Sequence, residues 1–338
     1  MLSFLLFAGA LHIDLQELKS VKWAVTILAT FSVAIATFVT GSLVWLASGL
    51  AGLQLPYLYA LLFGALISPT DPIAVLSILK EAGLSKKLYV KIGGESLFND
   101  GIGVVVFVTI LGLATGSYKA DWLNISGLLI KEVLGGAALG FFCGWVVYRL
   151  LSSIEDYKVE VLLTLALAAG GYAFAEKLHV SGPICMVVAG LIVGNHGRTL
   201  GMSEHTRERL DVFWELLDEI LNAVLFMLVG LEVIVIAISG EHVFLGFLSI
   251  GAVLLGRYIS VGLPIIIGGL SRPPRWKYIG LLTWGGLRGG LSLAMALSLP
   301  AGMAKDIILP VTYIVVLFSI LIQGLTFKPA LKFLIESE

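Results

Sequence analysis

Apolar stretches long enough to cross a bilayer recur along the whole chain, separated by short polar joints, and they limit what it can fold into. Hydrocarbon offers a backbone N–H or C=O no water, so a spanning segment must satisfy its own polar groups, as a helix does. A helical span takes about 20 residues at 1.5 Å each. The stretches fall at 21–50, 56–79, 88–114, 122–151, 159–178, 181–194, 213–239, 242–270, 276–299 and 307–334. A shorter one, 1–13, brings the expected helices to eleven. Composition agrees: 58% of the residues are hydrophobic and 13% charged, against roughly a quarter charged in a soluble domain. The reading is an all-α polytopic membrane protein, with residues 1–338 as one transmembrane domain.

Basic residues orient the spans. Sixteen lysines and arginines fall in the odd-numbered loops, at the C-terminal end or at the span ends beside them, whereas the opposite side holds Lys119, Lys177 and Lys305. The positive-inside rule then puts the odd loops and the C-terminus in the cytoplasm. Met1 starts at the outer face, in the middle of an apolar helix, so further helices are expected upstream. The run 1–11 lacks the basic lead of a cleavable signal peptide. A net charge of -1 gives no basic surface for nucleic acid, and Cys143 and Cys185 read as small buried hydrophobes.

Charges inside the spans mark a site, because a charge at membrane depth is costly and pairs or lines a watery path. Asp71, Asp100, Arg257 and Arg288 come from four different spans and fall near the middle of each. Asp71 lies within Ser68-Pro69-Thr70-Asp71-Pro72. Each proline removes a donor and clashes with the carbonyl four residues earlier, so this helix should unwind there. Next comes Glu95-Ser96-Leu97-Phe98-Asn99-Asp100. At ~100° per residue, Glu95 stacks with Asn99 and Ser96 with Asp100, on neighbouring lines of one face. A hard monovalent cation wants oxygen ligands, and a carboxylate can hold either that cation or a proton. The third feature, Gly285-Gly286-Leu287-Arg288-Gly289-Gly290, surrounds an arginine with glycines that weaken a helix. Two interrupted spans, one early and one late, are the mark of inverted-repeat transporters. A proline kink and glycine packing are the bland alternatives; the charges within both breaks weigh against them.

Ser-Pro-Thr-Asp-Pro, Gly-Glu-Ser-Leu-Phe-Asn-Asp and Gly-Leu-Arg-Gly-Gly-Leu-Ser-Leu, in this order, resemble the sodium/proton antiporters of the monovalent cation:proton antiporter-1 family. The resemblance runs over essentially the whole chain, and 7–11 is similar to that family's third helix. It implies an inverted-repeat fold with two interrupted, crossing helices. It also implies a homodimer of thirteen-helix protomers, of which this chain has the last eleven, in the cell membrane and serving pH homeostasis. Carried over, Asp100 alternately binds cation and proton, with Asn99 beside it as in electroneutral members. Thr70, Asp71 and Ser96 match ion-site positions, and Glu95 matches a glutamate paired with a membrane arginine. Arg257 is the expected partner and Arg288 the second choice. Arg288 should instead offset the negative helix ends at the crossing, and Asp71 the positive ones. No cofactor is implied beyond the transported Na+ (or Li+ or K+) and H+.

Two other readings compete. An intramembrane aspartyl protease could use Asp71 and Asp100, and Pro329-Ala330-Leu331 is similar to a late motif of such enzymes, but their Gly-x-Gly-Asp is absent. A cation channel would not require a proton-competent carboxylate. The five histidines sit near expected span ends and read as interfacial. The charged stretch 204–219 reads as an amphipathic entry to a span, where Asp218 and Glu219 are a solvated end or the rim of a cation funnel.

Overall fold

In a computed structural model the described residues are 1–81, 86–118, 121–154, 156–197, 204–232, 236, 238–269 and 275–335. Lys119, Arg198 and Arg272 lie outside them, as do the side chains of His196 and His205. Among the described residues the regular structure is helical throughout, in α1 Leu2–Leu11, α2 Leu15–Leu50, α3 Tyr57–Ile67, α4 Ile73–Glu81 and α5 Lys86–Ala114. Next come α6 Trp122–Leu151, α7 Tyr157–Lys177, α8 Gly182–Ile192 and α9 Glu204–Glu232. The last five are α10 Gly240–Gly268, α11 Arg275–Trp284, α12 Gly290–Leu297, α13 Met303–Phe318 and α14 Leu325–Ile335. Two π-helical turns, Val193–Gly197 and Ser319–Gly324, follow α8 and join α13 to α14. Joining α3 to α4, α11 to α12 and α13 to α14 gives the eleven segments expected from hydropathy. Among the described residues 6 helices are long and apolar enough to cross a membrane, counting 304–333 as one through its π turn; other spans are short, broken or, in α9, charged.

The chain divides into two compact units, 1–21 with 120–228, and 22–119 with 229–338. In the first, α8 is buried against α6 and α1. Gly136, Gly140 and Gly144 form a small-residue stripe on α6, and a side chain on any of them would collide with Ser181, Cys185 or Ala189. This is close backbone packing of the kind that holds helices together in lipid. Trp214 of α9, fully buried, donates from Nε1 to Thr164 Oγ1 of α7 at 3.0 Å and lies 4.9 Å from the Phe7 ring. The turn 193–197 carries Asn195, whose side chain accepts from Leu15 N at 2.8 Å and donates to Ile13 O at 2.9 Å.

The second unit contains two apolar clusters. One gathers Leu62–Ile67, Phe107, Leu245, Val253, Leu293 and Val311–Val316; the other gathers Leu28, Val75, Ile92, Val261, Ile279–Leu282 and Phe327. α5, α10 and each of the three interrupted segments contribute to both. The polar residues singled out by the sequence occupy the stretch between. Burial of hydrocarbon on both sides thus isolates one polar layer.

Candidate functional site

The prolines end one helix and start another. α3 stops at Ile67, α4 begins at Ile73, and residues 68–72 are helix-free. The late span breaks likewise, over 285–289. The two breaks meet: Asp71 N donates to Leu287 O at 2.8 Å. Arg288 Nη1 donates to Ser68 O at 2.5 Å and to Pro69 O at 2.9 Å. Backbone groups that lipid could not satisfy are therefore bound by protein.

The charges sit where helix dipoles want them. Arg288 covers the carbonyl end of α3, which carries roughly half a negative charge. Asp71 lies two residues ahead of α4 and against Gly289, the N-cap of α12, where any side chain would run into its carboxylate. One carboxylate thus serves two positive helix ends. A side chain at 289 would have to displace that carboxylate.

Glu95 forms a bidentate pair with Arg257, Nη1 to Oε1 at 2.9 Å and Nη2 to Oε2 at 3.0 Å. It is Arg257, not Arg288, that reaches Glu95. Arg257 Nε also donates to Leu282 O at 3.4 Å. Asn99 Nδ2 donates to Glu95 Oε1 at 3.0 Å and Thr70 Oγ1 at 2.8 Å, while Asn99 Oδ1 accepts from Thr70 N at 3.2 Å. Ser96 Oγ donates to Thr70 O and lies 3.2 Å from Thr70 Oγ1. Thr70, Glu95, Ser96, Asn99, Arg257 and Arg288 are all buried, whereas Asp71 and Asp100 are only partly so. Asp100 lies within electrostatic range of Asp71, Glu95 and Arg288. A small cavity opens on Thr70, Pro72, Glu95, Ser96, Arg257 and Gly285.

Matching this geometry, the model of the family described as sodium/hydrogen exchanger, transmembrane, fits residues 1–333. The chain belongs to the sodium/hydrogen exchanger family. Its exchanger relatives include the Na(+)/H(+) antiporter NhaP of Pseudomonas aeruginosa, 53% identical over 332 residues that cover 97% of this chain and 78% of that one. The Na(+)/H(+) antiporter NhaH of Halobacillus aidingensis is 38% identical over 337 residues, 98% of this chain and 81% of that one. Among solved structures, the exchanger fold is similar to that of the sodium proton antiporter MjNhaP1 from Methanocaldococcus jannaschii at pH 8. The TM-score is 0.77 at 20% identity, over 98% of this chain and 84% of that one. The resemblance to the monovalent cation:proton antiporter-1 family holds, and the exchanger is a multi-pass membrane protein of a transporter family rather than an enzyme. The protease reading is not favoured.

Two side chains at the breaks escaped the sequence reading. Ser319 Oγ accepts from Arg288 N at 2.7 Å, and Gln323 Nε2 donates to Trp284 O, at the end of α11, at 3.2 Å. A lone amide within an apolar run was the one available signal. Two of the histidines have structural contacts at helix ends. His242 completes the capping box of α10, and His12 sits at the end of α1, 3.8 Å from Asp211 of α9.

Proposed function

We propose that the chain exchanges one Na+ for one H+ across the cell membrane by alternating access, as a single transport domain with Asp100 as the carrier carboxylate. A charge balance at the crossing carries this reading. At the two breaks Asp71, Glu95 and Asp100 bring three negative charges and Arg257 and Arg288 two positive ones, while Lys91 lies a turn before Glu95 and nine residues along α5 from Asp100. Glu95 is committed to Arg257, and Asp71 and Arg288 face opposite helix ends, so the uncompensated charge falls to Asp100. A single proton or a single monovalent cation neutralises it. Loaded with either, the site carries the same charge, so exchange moves none across the membrane.

Asn99 supports the stoichiometry, because an amide hydrogen-bonded to Glu95 and Thr70 offers no second titrating group. Asp71, Thr70 and Ser96 supply further oxygens for the cation. The partly open aspartates give it a way in, and Glu95, Arg257 and Arg288 hold the frame. The distribution of basic loops supports a cytoplasmic C-terminus, and the family resemblance supports a homodimer. The decisive variant is Asp100→Asn in proteoliposomes carrying a pH-sensitive dye. Sodium should no longer dissipate the pH gradient, although the variant melts like wild type. Retained exchange by the folded variant would overturn the assignment.

A further inference from the structure

We propose that the π-helical turn Ser319–Gly324 is a positioning element for transport, in which Ser319 and Gln323 set the geometry of the broken α11–α12 segment and, through it, of the cation site. The proposal rests on the exchange function argued above. Ordinary α-helical winding leaves its carbonyls occupied and its register fixed; a π turn inserts one residue, and such turns gather at functional sites. This turn places two polar side chains, both almost wholly buried, against the break.

Their partners are the groups the break leaves without helical bonds. Ser319 Oγ takes the main-chain N–H of Arg288 at 2.7 Å, and Gln323 donates to the last carbonyl of α11 at 3.2 Å. Each contact spans more than 30 residues of sequence, so neither is a product of local winding. The consequence travels one further step. Arg288 holds Ser68 O and Pro69 O, and its neighbour Leu287 receives Asp71 N. Ser319 therefore fixes the residue that fixes the helix-free segment bearing Thr70 and Asp71, without itself reaching the cation. A fault at Ser319 should appear as misplaced ligands, that is, weaker cation binding, rather than as lost carrier chemistry.

The test compares sodium-driven exchange by the wild-type chain with that of Ser319→Ala, Ser319→Thr and Gln323→Met in proteoliposomes. Thr312→Val is the control, because Thr312 is an equally buried hydroxyl of α13 that, among the described residues, bonds within its own helix, at Ile308 O. Ser319→Ala and Gln323→Met should each raise the apparent KM for sodium about tenfold, equivalent to ~1.4 kcal/mol, with kcat changed less than twofold. Ser319→Thr, which keeps the hydroxyl, should restore KM, and Thr312→Val should leave it unchanged. A wild-type KM in Ser319→Ala overturns the proposal; if that variant does not fold, a wild-type KM in Gln323→Met does so. An equal rise in Thr312→Val also overturns it, by making the effect general to buried hydroxyls. Absence of exchange in the wild-type chain would instead strike the functional reading.

Discussion

Replacing Arg257 by methionine removes a guanidinium that donates twice to one buried carboxylate. Glu95 is 2% exposed and Arg257 4%, so neither can turn to water when its partner is lost. Asn99 Nδ2 also donates to Glu95, but one neutral amide cannot offset a full charge. Breaking a buried pair from one side costs about 3–5 kcal/mol. At a few degrees per kcal/mol for a domain of this size, the melting temperature should fall on the order of 10 °C. Glu95→Gln should fall by a similar amount, since it leaves the guanidinium uncompensated. The pair itself is isolated by the double variant, in which both charges are gone. Its destabilisation should be smaller than the sum of the two singles by about 2 kcal/mol, within the range seen for contacting residues. Thermal unfolding of the purified protein in detergent measures all four melting curves. Effects that add to within about 0.5 kcal/mol, as for independent sites, would refute a coupled pair.

Three further outcomes follow from the same geometry. Exchange should be electroneutral, so a sodium gradient should produce no current on a solid-supported membrane; a sodium-dependent current would contradict the charge balance. Arg288→Lys keeps a charge over the carbonyls of Ser68 and Pro69 and should retain most exchange, whereas Arg288→Ala should lower both melting temperature and rate; wild-type behaviour of the alanine variant would end the dipole argument. Gly289→Ala adds a methyl where the Asp71 carboxylate already lies, so exchange should fall at least tenfold, as assayed by pH-gradient dissipation, with Gly251→Ala, which meets nothing within 4 Å, as the silent control.

Much of this architecture was legible because lipid makes polar groups expensive. The breaks at 68–72 and 285–289 could be read from proline, glycine and charge, and the partner of Glu95 from the depth of Arg257 in its span. Helix ends were less legible. α2 begins at Leu15 rather than Val21, and α9 winds through the charged stretch 204–212 read as the entry to its span, since hydropathy reports where the lipid starts and not where winding starts. The second π turn left no compositional trace beyond the lone amide of Gln323 in an apolar run. Polar side chains of both π turns pair with residues far away in the sequence, Asn195 with Ile13 and Leu15, Gln323 with Trp284, and no local pattern encodes that. Ser319 looked like any serine in an apolar helix.

The bonding of the first break has a kinetic side. Ser68 and Pro69 are tethered to Arg288, Thr70 to Ser96 and Asn99, and Asp71 to Leu287. None of these tethers runs through the proposed cation, so the segment 68–72 should keep its form whether the proposed site is loaded or empty. Loading and unloading of that site would then require little local rearrangement, and the slow step of the cycle would fall to movement on a larger scale. Different cations would share that step, and the chain would tell them apart by how tightly each is held rather than by how fast each is carried.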